Sequence, residues 1–167
     1  MSIEVNITED KVEIFDGTQA AYLAAVDTQD QANAGATSVN LMKFRTTEIS
    51  RDISIASDSR ITMAKAGIYN IQFSAQFDKT DSGDDTVQIW LVKNGQNVAN
   101  TNTELTLAGN NGKHVAAWNF VVQASAADYY EIAWHSTDTA VFINYVGPAS
   151  TPTRPAIPSV ILTVTQV

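Results

Sequence analysis

The feature that most restricts what this chain can fold into is the run from Gly67 to Phe77. There Tyr69, Ile71, Phe73, Ala75 and Phe77 alternate with Asn70, Gln72, Ser74 and Gln76. Successive side chains on a strand point to opposite faces, so this period of two predicts a long antiparallel strand with one face in a core. After a polar turn at 78–85, Val87, Ile89 and Leu91 keep the alternation until Asn94-Gly95, the dipeptide that most readily adopts a tight hairpin turn. Segments 114–123, 129–135, 141–146 and 160–164 have the same strand character, and 147–158 is a loop punctuated by proline. Shorter strands are expected at 39–44, 48–55 and 60–63, after a loop at 27–38. No helical stretch separates these strands as a βαβ unit requires, which leaves an all-β, two-sheet antiparallel sandwich or barrel. One segment stays open: Gln19 to Val26 is rich in alanine and suits a short helix as well as a strand.

A sandwich of 167 residues buries enough surface to form a core without staples. With no cysteine, disulfides, thiol catalysis and cysteine-based metal fingers are excluded. A formal net charge of -8 argues against gripping nucleic acid through phosphates, which needs clustered Lys and Arg. The N-terminus lacks the basic and apolar pattern of a secretory signal, and no apolar run is long enough for a membrane-spanning helix.

The residues that could carry chemistry are few. His114 and His135 fall within expected strands with no acidic partner at a characteristic spacing, and read as ordinary strand residues. Nucleophile elbows, phosphate-binding glycine loops and zinc-protease motifs are missing. Asp78, Asp81, Asp84 and Asp85 crowd one turn and offer oxygen ligands suited to calcium. The calcium-loop pattern is incomplete, however, since Thr80 and Ser82 occupy its third and fifth positions and Ile89 its last. A solvated turn explains the same residues. Trp134 shares the apolar phase of its strand and belongs in the core, whereas Trp90 lies opposite in phase to Ile89 and Leu91 and is expected at the surface.

The order of these pieces resembles the jelly roll of the tumour-necrosis-factor and complement globular-head superfamily. The resemblance rests on Gly67-x-Tyr69-x-x-x-Phe73, on Val87 to Leu91 running into Lys93-Asn-Gly95, and on the strand ending Val121-Val-Gln-Ala-Ser-Ala-Ala-Asp128. It covers 67–167 well and the first 60 residues poorly. Gly67-Ile-Tyr-Asn-Ile-Gln-Phe-Ser-Ala-Gln, Ile89-Trp-Leu-Val-Lys-Asn-Gly95, Ala117-Trp-Asn-Phe120 and the ending Arg154 to Val167 look like the version found in structural proteins of tailed bacteriophages.

That resemblance implies a homotrimer of two-sheet sandwiches. Tyr69, Ile71, Phe73, Tyr130, Ile132, Trp134, Val160, Leu162 and Val164 would fill the core. The opposite phase of the same strands, Gln72, Ser74, Tyr129, Glu131, Ala133, Ile161 and Thr163, would face neighbouring subunits. Residues 1–16 are expected to form a docking segment, through Ile3, Val5, Ile7, Val12, Ile14 and Phe15, ahead of a jelly roll at 17–167. With no shaft repeat, the length suits a decoration or knob rather than a long fibre. The expected role is a non-enzymatic virion structural protein, assembled in the host cytoplasm from copies of itself and other virion proteins, without a cofactor. The rival is a receptor- or glycan-binding module, for which Trp90, Trp118, Asn100 to Thr103 and Asn110-Asn111 are the candidates. A polysaccharide hydrolase finds no acid and base in the sequence.

Overall fold

The computed structural model describes residues 19–167 in full and the backbone of 3–8 and 11–16. Strands β1 (Ile3–Thr8) and β2 (Lys11–Asp16) pair antiparallel as a two-stranded sheet of their own. The expected docking side chains of Ile3, Val5, Ile7, Val12, Ile14 and Phe15 lie outside the described residues. There follow β3 (Tyr22–Asp27), β4 (Gln31–Ala32), β5 (Asn40–Leu41), β6 (Thr46–Arg51), β7 (Ile53–Ala56) and β8 (Arg60–Met63). The long β9 (Gly67–Lys79) and β10 (Asp85–Lys93) lead to β11 (Gln96–Asn97), β12 (Thr103–Leu107), β13 (Lys113–Ala124) and β14 (Tyr129–His135). The chain ends with β15 (Val141–Ile143), β16 (Ala149–Ser150), β17 (Thr153–Arg154) and β18 (Val160–Gln166).

Two seven-stranded sheets form a sandwich, the all-β architecture that the alternation implied and the jelly roll that the resemblance implied. The front sheet runs β4-β15-β9-β18-β3-β6, with β13 on the other side of β9. The back sheet runs β11-β10-β14-β8-β7, with β12 beside β10 and β5 beside β14. Between them lie Tyr69, Ile71, Phe73 and Phe77 from β9, Val87, Ile89 and Leu91 from β10, Tyr130, Ile132 and Trp134 from β14, and Val160, Leu162 and Val164 from β18. Every expected core residue is therefore buried. Phe77 and Trp134 join the sheets edge to face, with ring centroids 5.4 Å apart.

The open segment resolves as strand. Leu23 and Ala25 enter the core while Tyr22, Ala24 and Val26 point outward, and burial against β18 overrides the helix propensity of the alanines. The hairpin at Asn94-Gly95 forms with both residues left-handed, at φ 49 and 79. The segment 48–55 is not one strand. Asp52 adopts φ 56 and divides it, so that β6 stays in the front sheet and β7 starts in the back one. Lys65 holds Asp52 there through a 2.6 Å ion pair. The strand β12 lies between the Asn- and Thr-rich turns at 100–103 and 110–111, in a stretch left unassigned from the sequence, its pairing with β10 running from Asp85↔Leu107 to Ile89↔Thr103.

Candidate functional site

The outward face of the front sheet is built by alternation and register alone. One row crosses it as Ala117, Ser74, Ile161, Val26; the next as Asn119, Gln72, Thr163, Ala24, Ile49; the next as Val121, Asn70, Thr165, Tyr22, Arg51. None of these residues carries a charge except Arg51, on the border strand, whose guanidinium lies over the Tyr22 ring. Val121 is 65% exposed, Ile49 60%, Val115 54% and Ile161 42%, so apolar side chains stand open among small uncharged ones. On β13, Trp118, Phe120 and Val122 pack only partly against the core from its inner side. This edge strand is long and carries apolar residues in both phases, beside Lys113, Asn119 and Gln123 in the outward one.

Of the seven residues expected at a subunit boundary, Gln72, Ser74, Ile161 and Thr163 share this face. Tyr129, Glu131 and Ala133 do not. They belong to β14, which lies in the back sheet between β10 and β8, and the outward sides of a sandwich's two sheets point in opposite directions. Ala133 is fully buried and Glu131 only 5% exposed within the single chain. Glu131 Oε1 accepts a 2.6 Å hydrogen bond from Ser59 Oγ and lies 3.7 Å from Arg60 Nε, so its carboxylate is satisfied within the chain. The strand positions that sequence reasoning missed are Val115, Val121, Ile68 and Ile49. On β9 and β13 the signal was apolar residues occurring in both phases of one strand, whereas Ile49 is the one apolar residue of β6 and left no such signal.

The acidic turn comes apart into separate contacts. Asp78 is buried and paired with Lys113, and it also accepts from Asn144 Nδ2 at 2.9 Å. Asp84 Oδ1 accepts the Gly109 amide at 2.7 Å. Asp81 and Asp85 instead gather with Asp138, which comes from outside the turn. Their cation is already in place: the Lys79 side chain is buried, and its ammonium bonds Gly83 O and lies 2.6 Å from Asp85 Oδ2 and 3.8 Å from Asp81 Oδ1. Burial pulls the Lys79 pKa down, but the Asp85 hydrogen bond and the charges of Asp85, Asp81 and Asp84 outweigh it, so the group is held above its ordinary value and stays protonated.

The tryptophans take three different positions. Trp134 is core, as expected. Trp118, a sugar-binding candidate from its sequence, turns inward instead, its ring edge-to-face with Phe73 at 4.9 Å. Trp90 points outward from β10 beside a cleft formed with the segment after β11. His135 Nδ1 lies 3.0 Å from the Ser38 carbonyl, and His114 is exposed near the start of β13. Another cleft, of about 350 Å³, is lined by Gln31, Asn40, Lys43, Arg45 and Trp134. Its polar groups face one another: Arg45 pairs with the buried Asp27, and Gln31 bonds Asp27 Oδ2 at 2.7 Å and the Lys43 carbonyl at 3.0 Å.

No known family's sequence pattern matches the chain, and no curated protein matches it in sequence. Its fold is nevertheless shared. Two crystal structures of murine APRIL, at pH 5.0 and pH 8.0, are similar over 89% of this chain and 100% of theirs, each with a TM-score of 0.53, at 9% and 10% identity. These neighbours are jelly rolls of the tumour-necrosis-factor type, which agrees with the fold the sequence resembled.

Proposed function

We propose that the chain works as a homotrimer with a structural, non-enzymatic role, its copies packed through the outward face of the front sheet. The observation that carries this reading is the uncharged, partly apolar surface across β13, β9, β18 and β3, on a protein in which 17% of residues are charged. With the bordering β6 these make five strands spaced about 4.8 Å apart and averaging about nine residues at about 3.3 Å, a face of roughly 600 Å². That approaches the roughly 800 Å² per partner of a stable interface, before any contribution from the half-buried rings on the β13 edge. A closed ring hides such a face on every copy, and the three-fold order comes from the sequence resemblance to the tumour-necrosis-factor and complement globular-head superfamily.

On the sequence resemblance to structural proteins of tailed bacteriophages, we read the trimer as a decoration or knob of a virion, attached through the segment ahead of β3. Light scattering of the purified chain tests the assembly. Three times 18.0 kDa is the expected mass, and a mass of 18.0 kDa at micromolar concentration overturns it. Mass spectrometry of purified particles tests the location, which fails if the chain is missing from them.

A further inference from the structure

We propose that the cleft beside Trp90, on the back sheet, binds the ring of a neutral sugar. The site is assembled by the same turn that the sequence announces most strongly. The left-handed pair Asn94-Gly95 reverses the chain, so that Val92 pairs with Asn97 and the Asn97 side chain reaches the Trp90 ring. Trp90 Nε1 donates to Asn97 Oδ1 at 2.8 Å, which fixes the indole's orientation. The chain then leaves the sheet from 98 to 102 and returns as β12. This excursion is anchored rather than loose: Val98 N donates to Leu91 O at 2.9 Å, Leu91 N donates to Thr101 Oγ1 at 3.1 Å, and Thr101 Oγ1 donates to Val98 O at 2.8 Å. A cleft held in this way needs little ordering when a ligand enters.

Its lining has the chemistry of a sugar site. The cleft is about 360 Å³, and the residues that matter are Trp90, Gln88, Asn97, Asn100 and Asn102. None of its lining residues is charged. A half-buried indole offers an apolar face to the C–H side of a pyranose. Each amide presents a donor and an acceptor side by side, which suits neighbouring hydroxyls. Asn100 and Asn102 spend their amides on no other group among the described residues, and Asn97 keeps its Nδ2 free after accepting from Trp90. A volume at the low end of small-molecule sites, which begin at about 300 Å³, admits one ring or two.

Charge decides which sugars are admitted. Glu104 sits beside the cleft, accepting from Gln88 Nε2 at 3.1 Å, and the whole chain is at -8, so a carboxylated or sulfated sugar meets repulsion at the cleft and in the field around it. Neutral and N-acetylated hexoses meet none. The cleft lies on the sheet opposite the proposed assembly face, so a trimer leaves all three copies open to solvent. This presentation rests on the reading above, but binding by one cleft does not.

The test uses the full-length chain with glucose, galactose, mannose, N-acetylglucosamine, N-acetylgalactosamine and, as the anionic comparison, N-acetylneuraminic acid. Saturation-transfer NMR and tryptophan fluorescence report binding. At least one neutral sugar is expected to bind saturably with Kd near about 1 mM, the weak range of a small open site. Trp90→Ala should weaken it at least about tenfold, equivalent to roughly 1.4 kcal/mol. Asn102→Ala should weaken it several-fold. Asn100→Gly should do the same, glycine being chosen because Asn100 has φ 63. If Trp90→Ala does not fold, the two asparagine variants carry the comparison. The proposal is overturned if no neutral sugar in the panel binds, if the variants bind as the parent does, or if N-acetylneuraminic acid binds best. A trimer that binds no sugar overturns the cleft alone, and a monomer that binds sugar overturns the assembly alone.

Discussion

The front and back sheets are alike on their inward sides and opposite on their outward ones. Inward, both follow the same rule: Ile71, Phe73 and Phe77 of β9 meet Ile89, Leu91, Ile132 and Trp134 across one continuous core. Outward, the front sheet offers Ser74, Gln72, Thr163, Ile161 and Val121, flat and uncharged. The back sheet is finished by its own chain. Ser59 and Arg60 meet Glu131, Lys93 meets Asp128, and the segment after β11 closes beside Trp90. A sheet that completes itself with local polar contacts can stand in water. One that leaves β-branched side chains open, with Arg51 at its border as the charge in its rows, is the surface on which the proposed assembly rests.

The largest effect is expected where the sheets are alike. Phe77 and Trp134 bury the same contact from opposite sides, so Phe77→Ala and Trp134→Ala should each cost about 3–5 kcal/mol. At roughly 2–4 °C per kcal/mol for a domain of this length, the melting temperature falls by about 10 °C in either case. Thermal denaturation at one fixed chain concentration checks this. A loss confined to one of the two variants would break the symmetry of the inward faces.

A smaller effect on the fold, and a larger one on assembly, is expected where the sheets differ. Ser74→Lys puts a charge in the middle of the front face, and Thr86→Lys puts one at an exposed position of β10 in the back sheet. Unpaired charge in a dry interface is costly, whereas a surface lysine in water changes stability by within about 0.5 kcal/mol. Light scattering should find Ser74→Lys dissociated and Thr86→Lys assembled like the parent. Equal masses for the two variants would erase the distinction between the outward faces.

The sequence showed one half of each strand well and the other half poorly. The inward phase was legible because burial enforces period two: Tyr69 to Phe77, Val87 to Leu91 and Val160 to Val164 all fall as the alternation requires. The tightest turn was legible because Asn94-Gly95 supplies two left-handed residues cheaply. Asp52, which carries the chain from one sheet to the other with φ 56, left no comparable mark, because aspartate adopts that conformation without an obligatory partner residue. The outward phase depends on which sheet a strand joins, and this is a long-range fact. Glu131 and Ser74 stand in the same phase of their strands, yet one is enclosed by Ser59 and Arg60 while the other lies on the open face. Likewise the four aspartates of the 78–85 turn looked like one cation site, and only the placement of Lys79, Lys113 and Gly109 divides them.

The smallest expected effect sharpens the comparison through pH. Asp128 ties the Asn94 hairpin to the turn that starts β14, accepting from Asn94 Nδ2 and the Ser125 amide, each at 2.7 Å, with Lys93 Nζ 2.7 Å from its own Oδ2. The Lys93 hydrogen bond first, then those from Asn94 and Ser125, hold its pKa at about 2, below the ordinary 3.8. A carboxyl whose folded pKa is depressed stabilises the fold fully above its unfolded value, and that stabilisation is lost as pH falls from 3.8 towards about 2. Asp128→Asn removes the titration. The variant should be slightly less stable than the parent at pH 7, and the gap between their melting temperatures should shrink across this window. The bonds concerned lie at the Asn94-Gly95 hairpin and in the turn from β13 to β14, away from Ser74, Gln72, Thr163, Ile161 and Val121 on the front face. Asp128→Asn should therefore leave the assembled mass at pH 7 unchanged, and a variant that loses assembly instead would show that the two faces are coupled through the core.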